Sequence, residues 1–126
     1  MRPQSAKAKG RRLQQDVCKL LVEAQPSLEK DDVRSTSMGA PGEDILFSPA
    51  ARRVYPFSVE CKNVEKLNIW EAIKQAESQN RAYPPMVCFT KNGEDIYVAV
   101  KIKDFLDSYK RDPSASTPVA GSTPKD

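Results

Sequence analysis

The chain has 126 residues, 39% of them hydrophobic and 29% charged, with 20 Lys and Arg against 17 Asp and Glu and no histidine. That length suits one domain with a modest core, and no apolar run is long enough to span a bilayer. The missing histidine excludes Ser-His-Asp and Cys-His nucleophile pairs, His-ligated zinc and any histidine general base, so hydrolytic chemistry would have to run on carboxylates, lysine and metal.

In chain order, residues 1 to about 10 are basic and poor in apolar side chains, which predicts a flexible arm. Arg2, Lys7, Lys9, Arg11 and Arg12 come without an acid or an apolar segment between them, unlike a secretory signal, and the expected location is the cytosol. Leu13, Val17, Leu20, Leu21 and Ala24 then recur at helical spacing, predicting a helix that stops before Pro26. From Pro26 to Gly42 the chain is polar and punctuated, and reads as a loop ending in a Gly-rich turn. Asp44 to Phe47 reads as a short strand and Ser48 to Arg53 as a connecting loop. Pro56 argues against ladder pairing at its own position, so the next strand settles from Phe57 onward.

That strand contains Ser58-Val59-Glu60-Cys61-Lys62-Asn63. Alternation puts Phe57, Val59 and Cys61 on one apolar face and Ser58, Glu60 and Lys62 on the other. Ile69, Trp70, Ile73 and Ala76 predict a helix over about 67 to 81, with Trp70 in the core. Met86 to Thr90 and Asp95 to Val100 predict two antiparallel strands joined through Asn92-Gly93. Ile102, Phe105, Leu106 and Tyr109 mark a last short helix. Residues 113–126 hold too little apolar surface to offset ordering entropy and predict a disordered tail. The expected architecture is α/β, a small mixed central sheet flanked by helices in the order α-β-β-α-β-β-α, within one domain spanning about residues 11–112. Cys18, Cys61 and Cys88 fit neither a zinc nor a disulfide spacing and read as small buried hydrophobes.

The chemistry centres on three side chains. Glu60 and Lys62 are two residues apart on one strand, roughly 6.5 to 7 Å between Cα atoms, so both reach one reacting group. If Asp44 begins the neighbouring strand, a second carboxylate lies near Glu60. Two acids can hold a hard divalent cation, the backbone carbonyl of Cys61 is an oxygen suited to the same ion, and a lysine adds positive charge near an attacking water. Phosphodiester hydrolysis needs these parts. A Glu-x-Lys tripeptide alone is common on solvated strand faces; its placement after the Gly42-Glu43-Asp44 turn and before a helix gives it weight.

Gly42-Glu43-Asp44 followed by Glu60-Cys61-Lys62 resembles the PD-(D/E)xK nuclease superfamily, with Gly-Glu-Asp standing where Pro-Asp is common. Lys9-Gly10 before the first helix and Arg34-Ser35 before the turn are similar to archaeal Holliday-junction resolvases. The run from Asp31 to Ala76, including Val33 to Gly39 and Glu60 to Asn63, resembles small bacteriophage endonucleases of the superfamily. The resemblance covers residues 9 to about 80. It implies a restriction-endonuclease-like fold, a Mg²⁺-dependent endodeoxyribonuclease that also accepts Mn²⁺, and a branched or structured DNA substrate cut by a homodimer. Asp44 and Glu60 would bind the metal and Lys62 would assist the attacking water. A first-helix glutamate of the resolvase pattern falls at Gln14. Either Gln14 ligates weakly through its amide oxygen, or Asp16 substitutes, or the third acid is missing. Ser35 matches a resolvase serine near the scissile phosphate, with turn capping as its alternative role. Gln75 matches a helix glutamine of many members, though it falls away from the Ile69/Ile73 stripe.

Lys7, Lys9, Arg11, Arg12, Arg34, Arg52 and Arg53 are the candidate phosphate contacts, which would give salt-sensitive affinity without reading sequence. The alternative reading is a nuclease-fold DNA-binding module without turnover, which Gln14 makes conceivable.

Overall fold

The computed structural model describes residues 5–36 and 41–110. Ser5 caps the first helix, α1 (Ala6–Glu23), its Oγ accepting from the Ala8 N–H at 3.1 Å. Residues 6–10, expected in a flexible arm, therefore form the opening turns of α1, and the helix ends before Pro26 as its periodicity predicts. Leu13, Gln14 and Val17 are its buried positions, whereas Leu20 and Ala24 stay exposed. The inward stripe is centred one residue away from the one read from Leu20.

Strand β1 (Val33–Ser35) lies in the stretch read as a loop and pairs antiparallel with β2 (Ile45–Phe47). A second element absent from the sequence reading follows, the short helix α2 (Pro49–Val54). Ser48 caps it, accepting from the Ala51 N–H at 3.1 Å, with Pro49 at the first helical position. Both are ordinary helix-start signals. Strand β3 (Ser58–Asn63), helix α3 (Ile69–Gln79) and strand β4 (Pro85–Thr90) make a parallel β-α-β unit. β4 then pairs antiparallel with β5 (Tyr97–Val100), and α4 (Ile102–Lys110) follows. The β4–β5 antiparallel pair was expected. Its connection runs over residues 91–96 and turns at Gly93, whose φ of 80° lies in the left-handed region.

The molecule is a small mixed α/β protein with two sheets, β1-β2 and β3-β4-β5, instead of one central sheet. The second sheet is covered on both faces. α1 packs on one, burying Leu13 and Val17 with Val59, Cys61 and Cys88; α3 packs on the other, burying Ala72 and Ala76 with Val87. Trp70, expected in the core, is 74% exposed, because Ala72 and Ala76 take the buried positions of α3 and Ile69 and Ile73 are only partly covered. Burying side chains as small as alanine lets α3 approach closely, and the Ser58 hydroxyl donates to the Ala76 carbonyl at 2.7 Å. The last helix shows the opposite behaviour: Ile102, Phe105, Leu106 and Tyr109 are all exposed.

Residues 1–4, 37–40 and 111–126 are outside the described residues. The 113–126 tail expectation, and Ser37 to Ala40 of the Gly-rich turn, lie there.

Candidate metal-dependent active site

The two sheets meet at Asp44. Its backbone N–H donates to the Val59 carbonyl at 3.2 Å, and its Oδ2 accepts from the Cys61 N–H at 2.8 Å. A carboxylate thus stands in for a ladder carbonyl on the free edge of β3. Thr36 fixes the other side of the same residue, its N–H donating to the Asp44 carbonyl at 3.0 Å.

Strand geometry makes this edge specific. A residue's N–H and C=O point to the same side of a strand. The Ser58 N–H donates toward the β4 side, to the Pro84 carbonyl, whereas Val59 and Cys61 turn theirs toward Asp44. The Cys61 carbonyl, a candidate ligand from the sequence, is accordingly on the edge that carries the Asp44 carboxylate.

Glu60 and Lys62 share the face beneath α3, as alternation predicts, and Lys62 Nζ lies 3.4 Å from Glu60 Oε2. That face is not solvated: Ser58 is fully buried and Glu60 is only 4% exposed. Burial, reinforced by the nearby Asp44 charge and opposed by Lys62, pushes the Glu60 carboxyl up from an ordinary 4.5 to about 7. Burial also raises the Asp44 carboxyl, against the lowering effect of the Cys61 N–H and of Lys62. The second oxygen of Glu60, Oε1, is buried without a hydrogen-bond partner. A buried acid raised by a neighbouring carboxylate, and keeping one orphaned oxygen, favours a cation beside the two.

Gln14 is 4% exposed and its Oε1 is likewise buried without a partner. It comes from α1, which packs on the Val59/Cys61 face, and no hydrogen bond joins it to Glu60 or Asp44. Asp16, the alternative acid, is exposed on the wall of a groove between α1 and the β4–β5 connection. Among the described residues no group of three or more Cys, Asp or Glu side chains gathers around one point. The site is a pair of carboxylates with a lysine.

The remaining candidates separate. Ser35 pairs with Ile45 in the β1–β2 hairpin, but its side chain lines a groove with Gln15, Cys18 and Lys19 of α1. Gln75 is exposed on α3. Arg52, expected on DNA, is committed to the protein. Its Nη2 donates to both Glu43 oxygens at 3.1 and 3.2 Å, its Nη1 donates to the Phe57 carbonyl at 2.7 Å, and the guanidinium stacks over the Phe47 and Tyr83 rings. Asn80 Nδ2 donates to the same Glu43 carboxylate at 2.6 Å. Sequence reasoning missed this network, although Glu43 stands beside Asp44 in the motif. Lys7, Arg11, Arg12, Arg34 and Arg53 are exposed and Lys9 is half-buried.

The three cysteines pack in one core cluster, Cys61 and Cys88 buried as expected and Cys18 partly so. Cys61 and Cys88 are register partners on β3 and β4. The hydrogen bond with Cys88, then burial, pushes the Cys61 thiol up; burial, with Cys88 nearby, raises Cys18 to about 11. Cys18 and Cys61 are therefore protonated packing groups at neutral pH.

Comparison with protein-family models, with curated proteins and with solved structures found no match to this chain.

Proposed function

We propose that the protein is a metal-dependent DNA endonuclease, with a restriction-endonuclease-like arrangement of Asp44, Glu60 and Lys62, acting on branched or structured DNA. The observation that carries this reading is Glu60. It is buried beside a second carboxylate, holds Lys62 at 3.4 Å through one oxygen, and keeps its other oxygen without a partner. Burying such a group costs stability unless something cationic completes it, so the arrangement makes sense as a ligand set.

The donors fit Mg²⁺. Asp44 Oδ, Glu60 Oε1 and the Cys61 carbonyl are all oxygen, the chemistry that hard divalent cations select, and Mn²⁺ would be accepted by the same atoms. Bound there, the ion would supply charge to the phosphate and acidity to a coordinated water. Lys62 would hold a proton-bearing ammonium beside the phosphate oxygens and offset the charge that builds on them in the transition state. Asp44, anchored by the Cys61 N–H, keeps its carboxylate pointed along the β3 edge. Exposed Arg11, Arg12, Arg34 and Arg53 would draw the DNA backbone in without reading sequence. The branched substrate and the homodimer rest on the resemblance to resolvases.

The alternative is a DNA-binding module of the same fold without turnover, favoured by the neutral Gln14 where the resolvase pattern has an acid. Purified protein should be mixed with a labelled four-way junction, a duplex and a single strand, in Mg²⁺ or in chelator. Metal-dependent cutting of the junction supports the enzyme. Binding without cutting on all three substrates supports the module.

A further inference from the structure

Next to Lys62 the second sheet carries a row of side chains that ends in an uncovered ring. Lys62 is the register partner of Phe89, and Phe89 of Tyr97. Register partners point to the same face, so the three stand in line across β3, β4 and β5 on the face beneath α3. Adjacent strands are about 4.8 Å apart, which puts the Tyr97 Cα roughly 10 Å from that of Lys62. The Phe89 and Tyr97 rings are stacked, with centroids 6.1 Å apart and planes at 28°. Phe89 is anchored against the α3 core cluster, whereas Tyr97 is 58% exposed. With Val64 and Leu67 the two rings line a groove of about 360 Å³.

We infer that this Phe89–Tyr97 shelf binds an unpaired nucleobase of the strand whose phosphate lies beside Lys62. The inference rests on the nuclease reading of Asp44, Glu60 and Lys62, and deepens it by naming what the substrate must offer at the cut. Two observations select a base over the other parts of a nucleotide. The floor of the groove is aromatic and aliphatic, and any base has a π-face to lay on it. The rim carries Glu65, Glu94 and Asp95 against the single cation Lys91. Carboxylates repel phosphate but accept hydrogen bonds from exocyclic amino groups. A base paired inside a duplex presents no free face, so the shelf favours cutting where a nucleotide is already unpaired, at a branch point or in a loop.

The test uses the full chain in chelator, with junctions carrying 2-aminopurine at successive positions around the cut. Stacking on the shelf should quench the probe most strongly at the nucleotide adjoining the cleaved phosphate. Tyr97→Leu, which keeps apolar bulk on the edge strand but removes the ring, should abolish the quench and weaken binding about tenfold, a typical loss for one stacked base. Tyr97→Phe should retain both. Quenching that persists in Tyr97→Leu, or that peaks away from the cut, overturns the proposal. The same samples are then given Mg²⁺. Cutting without any Tyr97-dependent quench discards the shelf while the nuclease stands. A Tyr97-dependent quench with no cutting in Mg²⁺ discards the nuclease reading, and leaves the shelf as the base-binding site of a module without turnover.

Discussion

Asp44 Oδ2 accepts the Cys61 N–H at 2.8 Å, so one carboxylate both joins the β1–β2 hairpin to β3 and stands at the edge proposed to react. Structure and chemistry are therefore entangled at this residue, and substitutions there must be chosen to separate them. Asp44→Asn keeps an acceptor oxygen and removes the charge. We expect a folded protein with a near-native unfolding midpoint, junction binding retained and cleavage lost. Asp44→Ala strands the Cys61 N–H, and should in addition lose on the order of 1 to 3 kcal/mol in urea unfolding.

Glu60 makes stability depend on pH in a direction opposite to that of most acids. Its carboxyl sits at about 7 in the folded chain against an ordinary 4.5. Between those values the folded state holds a proton that the unfolded state has released. The stabilisation is complete below pH 4.5 and is lost as pH rises through about 7, a difference on the order of 3 kcal/mol. In chelator, the unfolding midpoint should fall from pH 5 to pH 8. Glu60→Gln should flatten that dependence and stabilise the chain at pH 8 while removing cleavage. Added Mg²⁺ should restore the wild-type midpoint at pH 8, by binding the folded state alone. A midpoint in chelator that does not move between pH 5 and pH 8 would contradict the buried-acid account.

Arg52 and Arg53 are neighbours in opposite environments, one paired and partly covered, the other exposed. Arg52→Ala leaves Glu43 without its cationic partner, and removing one member of a largely buried pair costs about 3 kcal/mol or more. Arg52→Lys should recover little, since an ammonium cannot serve Glu43 and the Phe57 carbonyl from two nitrogens of one plane or stack on Phe47 and Tyr83. Arg53→Ala, at an exposed site, should leave stability within about 0.5 kcal/mol and weaken DNA binding instead. Chemical denaturation and gel shift on the same preparations separate the two.

Arg11 and Arg12 project from the first half of α1 into solvent. If both contact phosphates, replacing them with alanine should lower the slope of log affinity against log salt on duplex DNA by about 1 for each residue. The loss should be uniform across sequences. A slope unchanged by the double substitution would assign the DNA surface elsewhere.

The strongly periodic parts of the fold could be read from the chain, and so could the nearness of Asp44, Glu60 and Lys62. α1, α3, α4 and the β4–β5 pair follow from spacing and from Asn92-Gly93; Glu60 and Lys62 follow from alternation along β3. The missed elements are short. β1 is three residues long and α2 six, too little for any period to declare itself, although Ser48-Pro49 was a helix-start signal. The burial of Glu60 was not legible either. A strand with Ser, Glu and Lys on one face looks solvated until α3 covers it, and α3 can do so closely only because Ala72 and Ala76 are its inward residues. Trp70 was misplaced for the same reason. Arg52 looked like its exposed neighbours because its partners, Glu43, Phe47, Phe57 and Tyr83, are spread along the sequence.

Glu43 and Asp44 are adjacent, yet they belong to different parts of the molecule. Glu43 is bolted by Arg52 and Asn80 to α2 and to the end of α3, while Asp44 reaches across to β3. The acidic centre is consequently a seam between two sheets. One sheet brings Asp44 and the other brings Glu60 and Lys62, and Glu43 is the clasp. Without that clasp, only Asp44's own bonds to Val59 and Cys61 would keep the two carboxylates at their spacing.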